Sequence, residues 1–324
     1  MTGTPQPGCP DVVTFGEAMG VLRARTPVRL GGALGLSVAG AEANVAIGLA
    51  RLGHTVSWVG RVGDDEFGAL VLRTLRAEAV DIRHTAIDRD GRPTGLLAAE
   101  RRIRDLARVT YWRAGSAGSV IGPADVLPAL RAGTRILHLT GITPALSPTA
   151  ADATLAAAQQ ARALGVTVCL DVNYRARLWS ADQARTTLLP LSRLADIIVA
   201  SADELHLVCD DPTLPEHDAT AALLQQGRRE IVLTRGGDGA AVISQDSSIA
   251  APARPVPVVD TLGAGDAFVA GYLSGLLDGL DTRQRLERAT TTGAFAVSTP
   301  GDWEGLPTRE DLPLLDQPAG TALR

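Results

Sequence analysis

The chain contains no lysine, so its 31 basic residues are all arginine. That absence closes every Schiff-base mechanism on a lysine amine, the Walker A loop and the lysine of protein kinases. Any fixed cation in a site must be Arg, whose planar fork meets carboxylates and phosphates at two points. Cysteine is nearly absent as well. Cys9, Cys169 and Cys209 are too few and too scattered for a disulfide framework or a C-x-x-C site. Cys169, inside VTVCLDV, reads as a small buried hydrophobe. The five histidines show no H-x-x-x-H or related spacing, and His138, on an expected strand, reads as packed rather than catalytic. The net charge of −5 comes with no basic stripe, which argues against nucleic acid as the main partner. No run approaches the roughly 20 apolar residues of a membrane span, so no membrane association is expected. The opening MTGTPQPGCP has neither a basic head nor an apolar stretch, and no secretory signal is visible. A reducing cytoplasm is the expected location.

What is present is a chain of 324 residues, 45% apolar, long enough for one large α/β domain or two smaller ones. Short β-like runs alternate with helical patterns. Strands are expected at residues 12–16, 55–62, 136–139, 166–171, 197–200 and 231–234. Helices are expected at 41–52, 65–79, 148–164, 264–277 and 282–297. This rhythm predicts βαβ units and a doubly wound, mainly parallel sheet with helices on both faces. Residues 21–38 and 82–113 break it with extended, Gly-punctuated sequence such as TGLLAAERR and RVTYWRAG. They read either as a small β-sheet lid over a cleft or as surface hairpins. Residues 1–10 and 318–324 are expected to be tails around one domain over residues 11–317.

The most informative stretch is DTLGAGDAF, residues 260–268. An apolar extended run enters a Gly-rich turn and a helix follows. Gly263 and Gly265 remove side chains that would keep an anion from the backbone, and the helix start offers unpaired N–H groups and the positive dipole end. Asp266 puts a carboxylate in the same turn. It is either a solvated cap or a base that takes a proton while phosphate charge builds up beside it. A dinucleotide site is disfavoured, because Phe268 stands where the third glycine of G-x-G-x-x-G belongs.

Taken with AGAEANVAIGLARLG (39–53), VGRVGDDEFG (59–68), GSAGS (115–119), HLTGITPALSP (138–148) and LDVNYRARLWS (170–180), the turn resembles the ribokinase-like PfkB carbohydrate kinases, nearly end to end. Glu42, where most members have a second glycine, is similar to the ketodeoxygluconate branch. The resemblance implies ATP-dependent phosphorylation of the primary hydroxyl of a keto sugar acid such as 2-keto-3-deoxygluconate. A neutral-sugar kinase and a non-catalytic sugar- or nucleotide-binding regulator are the alternatives. It makes Asp266 the catalytic base and Gly263, Ala264 and Gly265 the anion hole. It places Asn173, Arg175, Arg235, Gly236 and Gly239, with Gly263 and Gly265, on ATP. On the acceptor it places Gly40, Ala41, Asn44, Tyr111, Trp112, Arg113, Ile142, Arg175, Asp266 and Asp302, with Arg113 and Arg175 gripping the carboxylate. Leu97 departs from the branch, which commonly has a Tyr there. Mg²⁺ is implied by ATP chemistry, with Glu204 contributing through water, and K⁺ is implied at Asp260 and Thr261. A homo-oligomer, a dimer or higher assembled through the lid, is implied too.

Overall fold

The computed structural model describes residues 8–103 and 106–317. Of the tails expected at 1–10 and 318–324, residues 1–7 and 318–324 lie outside the described residues. The chain opens with β1 (Val12–Phe15), β2 (Met19–Ala24), β3 (Leu34–Ala39), α1 (Ala41–Arg51), β4 (Val56–Val59), β5 (Arg61–Gly63) and α2 (Glu66–Ala77). It continues with β6 (Ala86–Asp88), β7 (Leu96–Ile103), β8 (Leu106–Trp112), α3 (Pro123–Arg131), β9 (Ile136–Thr140), α4 (Pro148–Ala163), β10 (Thr167–Asp171) and α5 (Ala181–Ser192). It closes with β11 (Ile197–Ser201), α6 (Glu216–Gln225), β12 (Glu230–Thr234), β13 (Ala240–Ile243), β14 (Ser248–Ala251), α7 (Ala264–Leu277) and α8 (Thr282–Val297).

Eight strands form the main sheet in the order β14-β13-β12-β11-β10-β9-β1-β4, parallel except for the β13–β14 hairpin at one edge. Its strands are apolar on both faces, as a sheet covered twice requires. Alternation along each strand then feeds two cores. Val12, Ile136, Cys169 and Ile197 pack under α1, α2, α7 and α8. Val13, Leu137, Leu170 and Ile198 pack under α3, α4, α5 and α6. Side-chain caps start several helices: Asp65 accepts the Gly68 amide at 2.8 Å and Ser147 that of Ala150 at 3.1 Å.

A separate four-stranded sheet, in the order β3-β2-β7-β8, stands against the carboxyl edge of the main sheet. Its inner face carries Val21, Leu97 and Tyr111 in one cross-strand row and Arg23, Ala99 and Val109 in the next. The expected strand over 55–62 divides at Gly60, where a Cβ would collide with the Trp58 ring. The chain leaves the main sheet there, and β5 pairs with β6 instead. The early part of residues 82–113 therefore belongs to that small ribbon, and only β7 and β8 join β2 and β3. Helices α3 and α5 went unread because Pro128 and Pro190 sit inside them and mimic breaks.

Candidate active site

Two cavities at the carboxyl edge of the main sheet share one wall. The first, of about 770 Å³, lies between the start of α1, the loops after β1, β9 and β10, and the inner face of the small sheet. The second, of about 610 Å³, lies between the glycines that follow β12, the loop at 253–258 and helices α7 and α8. Leu262, Gly263 and Asp266 face the first, while Thr261, Ala264 and Gly265 face the second. A larger cavity of about 980 Å³ opens beyond Arg23 and Asp260 but has neither Asp266 nor the turn's glycines in its wall.

The shared wall is the start of α7. Gly263 caps it at φ 72°, a left-handed conformation that favours glycine, and a Cβ there would strike the Asp302 carbonyl oxygen. Among the described residues the amides of Gly265 and Asp266 find no hydrogen-bond acceptor, and that of Ala264 reaches only the Thr261 carbonyl at 3.4 Å. Unpaired amides at the positive end of a 14-residue helix form an anion-binding corner.

Asp266 is buried, and Asn44 Nδ2 donates to its Oδ2 at 2.7 Å. Burial first, then Asp302 and Glu42, push its carboxyl up against the pull of the Asn44 hydrogen bond and Arg175, to a net value of about 7. A group titrating there is an ionised, available base near neutral pH. Glu42 lies beneath it, buried and accepting from Thr140 Oγ1 at 2.5 Å and Thr143 Oγ1 at 2.6 Å, with burial raising its pKa.

Three arginines reach the first cavity. Arg113 grips buried Glu17 with Nε at 2.6 Å and Nη2 at 2.5 Å, and Ser116 donates to the other Glu17 oxygen. Arg177 Nη1 donates to the Val109 carbonyl at 2.8 Å, tying the loop after β10 to β8. Arg175 is exposed into the cavity, and its side chain makes no ion pair or hydrogen bond with the described residues. Gly40, Ala41, Asn44, Ile142, Leu97, Tyr111 and Asp302 join them in the wall.

Several expected residues are placed elsewhere. Trp112 is 57% exposed and lines a groove on the opposite face of the small sheet, because neighbours on a strand point to opposite sides. Arg235 leaves Gly236 and Gly239 in the second cavity and turns away to Glu216, at 2.5 Å; Arg254 lines that cavity instead. Asn173, at φ 37°, folds its amide back onto Asp171 Oδ2 at 3.2 Å and lines neither cavity. Both Glu204 oxygens accept backbone amides, of Tyr174 at 2.7 Å and Ser201 at 2.8 Å, which makes Glu204 a clamp between two strand-end loops. Asp171, unread in the sequence although it precedes Asn173 at a strand end, is buried. Burial, Glu204 and Asp266 push its carboxyl well above the usual range. His138 is fully buried against Thr14 Oγ1 at 2.9 Å.

Asp302 faces the first cavity but is held by Arg23 of β2, whose Nη1 also lies 3.5 Å from Asp260 Oδ2. The Asp260 oxygens already accept the amides of Leu262 and Gly301. This donor set does not fit the K⁺ expected at Asp260 and Thr261, because a guanidinium stands where the cation's charge would be needed.

A cavity on either side of a helix-start anion corner, with a near-neutral carboxyl at the boundary, defines a phosphotransferase of the ribokinase-like fold. The chain belongs to the pfkB family of carbohydrate kinases, whose model matches residues 10–309. It is 38% identical over 310 residues to the 2-dehydro-3-deoxygluconokinase of Bacillus subtilis, covering 93% of this chain and 94% of that one. The 2-dehydro-3-deoxygluconokinase of Thermoproteus tenax is 36% identical, with coverage of 92% and 91%. An Escherichia coli chain assigned as ribokinase II, solved in complex with ATP and Mg²⁺, superposes with a TM-score of 0.87 at 25% identity, over 95% of this chain and 99% of that one.

Proposed function

We propose that the chain transfers the γ-phosphoryl group of ATP to the primary hydroxyl of a keto sugar acid, 2-keto-3-deoxygluconate. The observation that carries this reading is the single turn at 262–266 that walls both cavities. The acceptor occupies the cavity holding Asp266, and ATP the one holding Gly236, Gly239, Ala264 and Gly265. Asp266 takes the hydroxyl proton as the acceptor oxygen bonds to the γ-phosphorus, and the bond to the β–γ bridging oxygen breaks to release ADP. The free amides of Gly265 and Asp266 meet the charge that builds on the equatorial oxygens. Arg175, with no ion pair or hydrogen bond among the described residues, and the unengaged N–H groups of Arg113 face the acceptor carboxylate. Tyr111 lies under Arg113, its ring centroid 5.6 Å from the guanidinium carbon, and Leu97 supplies an apolar wall.

Mg²⁺, when bound with ATP, would offset the negative charge of the phosphates. Asp171 fits a role beside it, because its buried carboxyl is held up partly by neighbouring acids whose repulsion a cation relieves. Glu204, committed to two amides, fits only contact through water. Three free cysteines and the absence, among the described residues, of a helix able to cross a membrane suit a cytoplasmic enzyme. The small sheet is the lid, and a second copy covers its outer face. Leu34, Leu36 and Trp112 stand 44%, 57% and 57% exposed there.

A panel of acceptors with and without a carboxylate tests the proposal through ADP release. Turnover of the keto sugar acid well above that of fructose or ribose is expected. Turnover of neutral sugars alone would remove Arg113 and Arg175 from the carboxylate site. ATP use that ignores every sugar would sink the reading as a whole.

A further inference from the structure

We propose that Arg23 is a built-in cation that makes the phosphoryl-transfer turn independent of a bound monovalent ion. The proposal rests on the kinase reading above and concerns Asp260, the residue that opens the turn. Its Oδ1 accepts the Leu262 amide at 3.1 Å and its Oδ2 the Gly301 amide at 3.2 Å, so one carboxylate ties the turn to the late loop. The charge on that carboxylate is met from another part of the fold. Arg23 Nη1 lies 3.5 Å from Asp260 Oδ2, and Nη2 of the same guanidinium binds Asp302.

The position of Arg23 suits this task. It projects from the inner face of the small sheet, and its partner on β3 is Gly35, which puts no side chain beside it. Its side chain is 22% exposed and its Nε is buried without a partner, so the two acids are the partners its charge has. Asp260 and Asp302, facing each other half-buried, would repel without a cation between them. An alkali ion could fill that need only by displacing a guanidinium that is always charged and covalently held in place. Substitution of Arg23 would open the way, because the cavity of about 980 Å³ beyond it leads from solvent to Asp260.

The test uses the full-length enzyme with K⁺ or tetramethylammonium as the sole monovalent cation. Two quantities are read, kcat with ATP and the keto sugar acid, and melting temperature without substrates. Wild type is expected to give the same kcat and the same melting temperature in both salts. Arg23→Gln is expected to lose about tenfold to a hundredfold in kcat in tetramethylammonium, as for removal of a charge-assisted hydrogen bond. K⁺ should restore part of that loss and raise the variant's melting temperature. Activation or thermal stabilisation of wild type by K⁺ would overturn the proposal, as would an Arg23→Gln enzyme indifferent to both the substitution and the salt. If Arg23→Gln does not fold, Arg23→Lys carries the test: its charge should keep the enzyme K⁺-independent, and K⁺ dependence overturns the idea. Failure of wild type to phosphorylate any sugar would refute the kinase reading instead, while the melting temperatures would still report on the cation.

Discussion

Replacing Asn44 with Leu should move the acid limb of the pH–rate profile upward, whatever it does to the height of the alkaline plateau. Burial drives the Asp266 carboxyl to about 7, and the hydrogen bond from Asn44, at 2.7 Å, is the largest influence in the opposite direction. A hydrogen bond to a charged group is worth about 1.5–3 kcal/mol, and each pKa unit is 1.36 kcal/mol, so losing it raises the carboxyl by about one to two units. Leu keeps the branched shape of Asn with the same number of heavy atoms but has no donor, and its extra bulk keeps water from taking the vacated position. The sign follows from the working form of the base. Ionised Asp266 accepts the proton, so kcat/KM climbs as pH rises through its pKa and then levels. Wild type should show this limb near 7, and Asn44→Leu should show it roughly one to two units higher. Asp302→Asn provides the opposite control: Asp302 is one of the acids raising Asp266, so removing its charge should lower the limb. The profile of kcat/KM for the sugar acid, with ATP saturating, reads all three. A wild-type profile flat through neutrality would refute the base assignment. An Asn44→Leu limb that stays in place would refute the claim that this bond sets its pKa.

Asp266→Asn should cost about 100- to 10,000-fold in turnover yet raise the melting temperature at alkaline pH. The carboxyl titrates near 7 in the fold against an ordinary 3.8, so keeping it ionised there costs about 4 kcal/mol, a cost complete above pH 7 and absent below the ordinary value. A variant melting at or below wild type at alkaline pH would contradict this. Gly263→Ala should lose activity together with stability, because its Cβ meets the Asp302 carbonyl oxygen and its φ of 72° disfavours a side chain. Turnover and melting unchanged from wild type would show that the turn is not held as described. Leu36→Glu, which places a charge in the apolar outer row of the small sheet, should yield monomers by light scattering with kcat largely kept; an unchanged oligomer would move the interface elsewhere.

The residues legible in the sequence are those whose role is set by local chain geometry. The helix from 264 to 277, the glycines before it and Asp266 in its first turn follow from neighbours in sequence. The start of α1 at Gly40 to Asn44 reads the same way. Strand alternation was available too: Tyr111 and Arg113 share a face that Trp112 cannot, so assigning the whole YWR run to one wall ignored the period of two. What the sequence hid depends on pairing between distant segments. Nothing near Arg235 reveals that Glu216 takes its charge, and nothing near Arg23 reveals Asp260 and Asp302, more than two hundred positions away. Glu17 gave only an acid after an apolar strand, and its partner Arg113 lies across the cavity on another sheet.

Those distant pairings decide which charges remain for substrate. Without lysine, the acceptor cavity depends on guanidinium groups, and two of the three in its wall are committed to the protein: Arg113 to Glu17 and Arg177 to the Val109 carbonyl. The acids that remain near the reacting centre are restrained by burial, which raises Glu42 and holds Asp302 near 6. An anionic acceptor can therefore enter a cavity lined by carboxyl groups, because Glu17 and Asp302 are each matched by a guanidinium and Arg175 has no ion-pair partner among the described residues. It also follows that a neutral sugar gains nothing from Arg175. On the proposed reading, discrimination in favour of an acid thus falls to Arg175, exposed in the loop after β10, with the unengaged N–H groups of Arg113 beside it, and the turn at 262–266 is left to handle the phosphate.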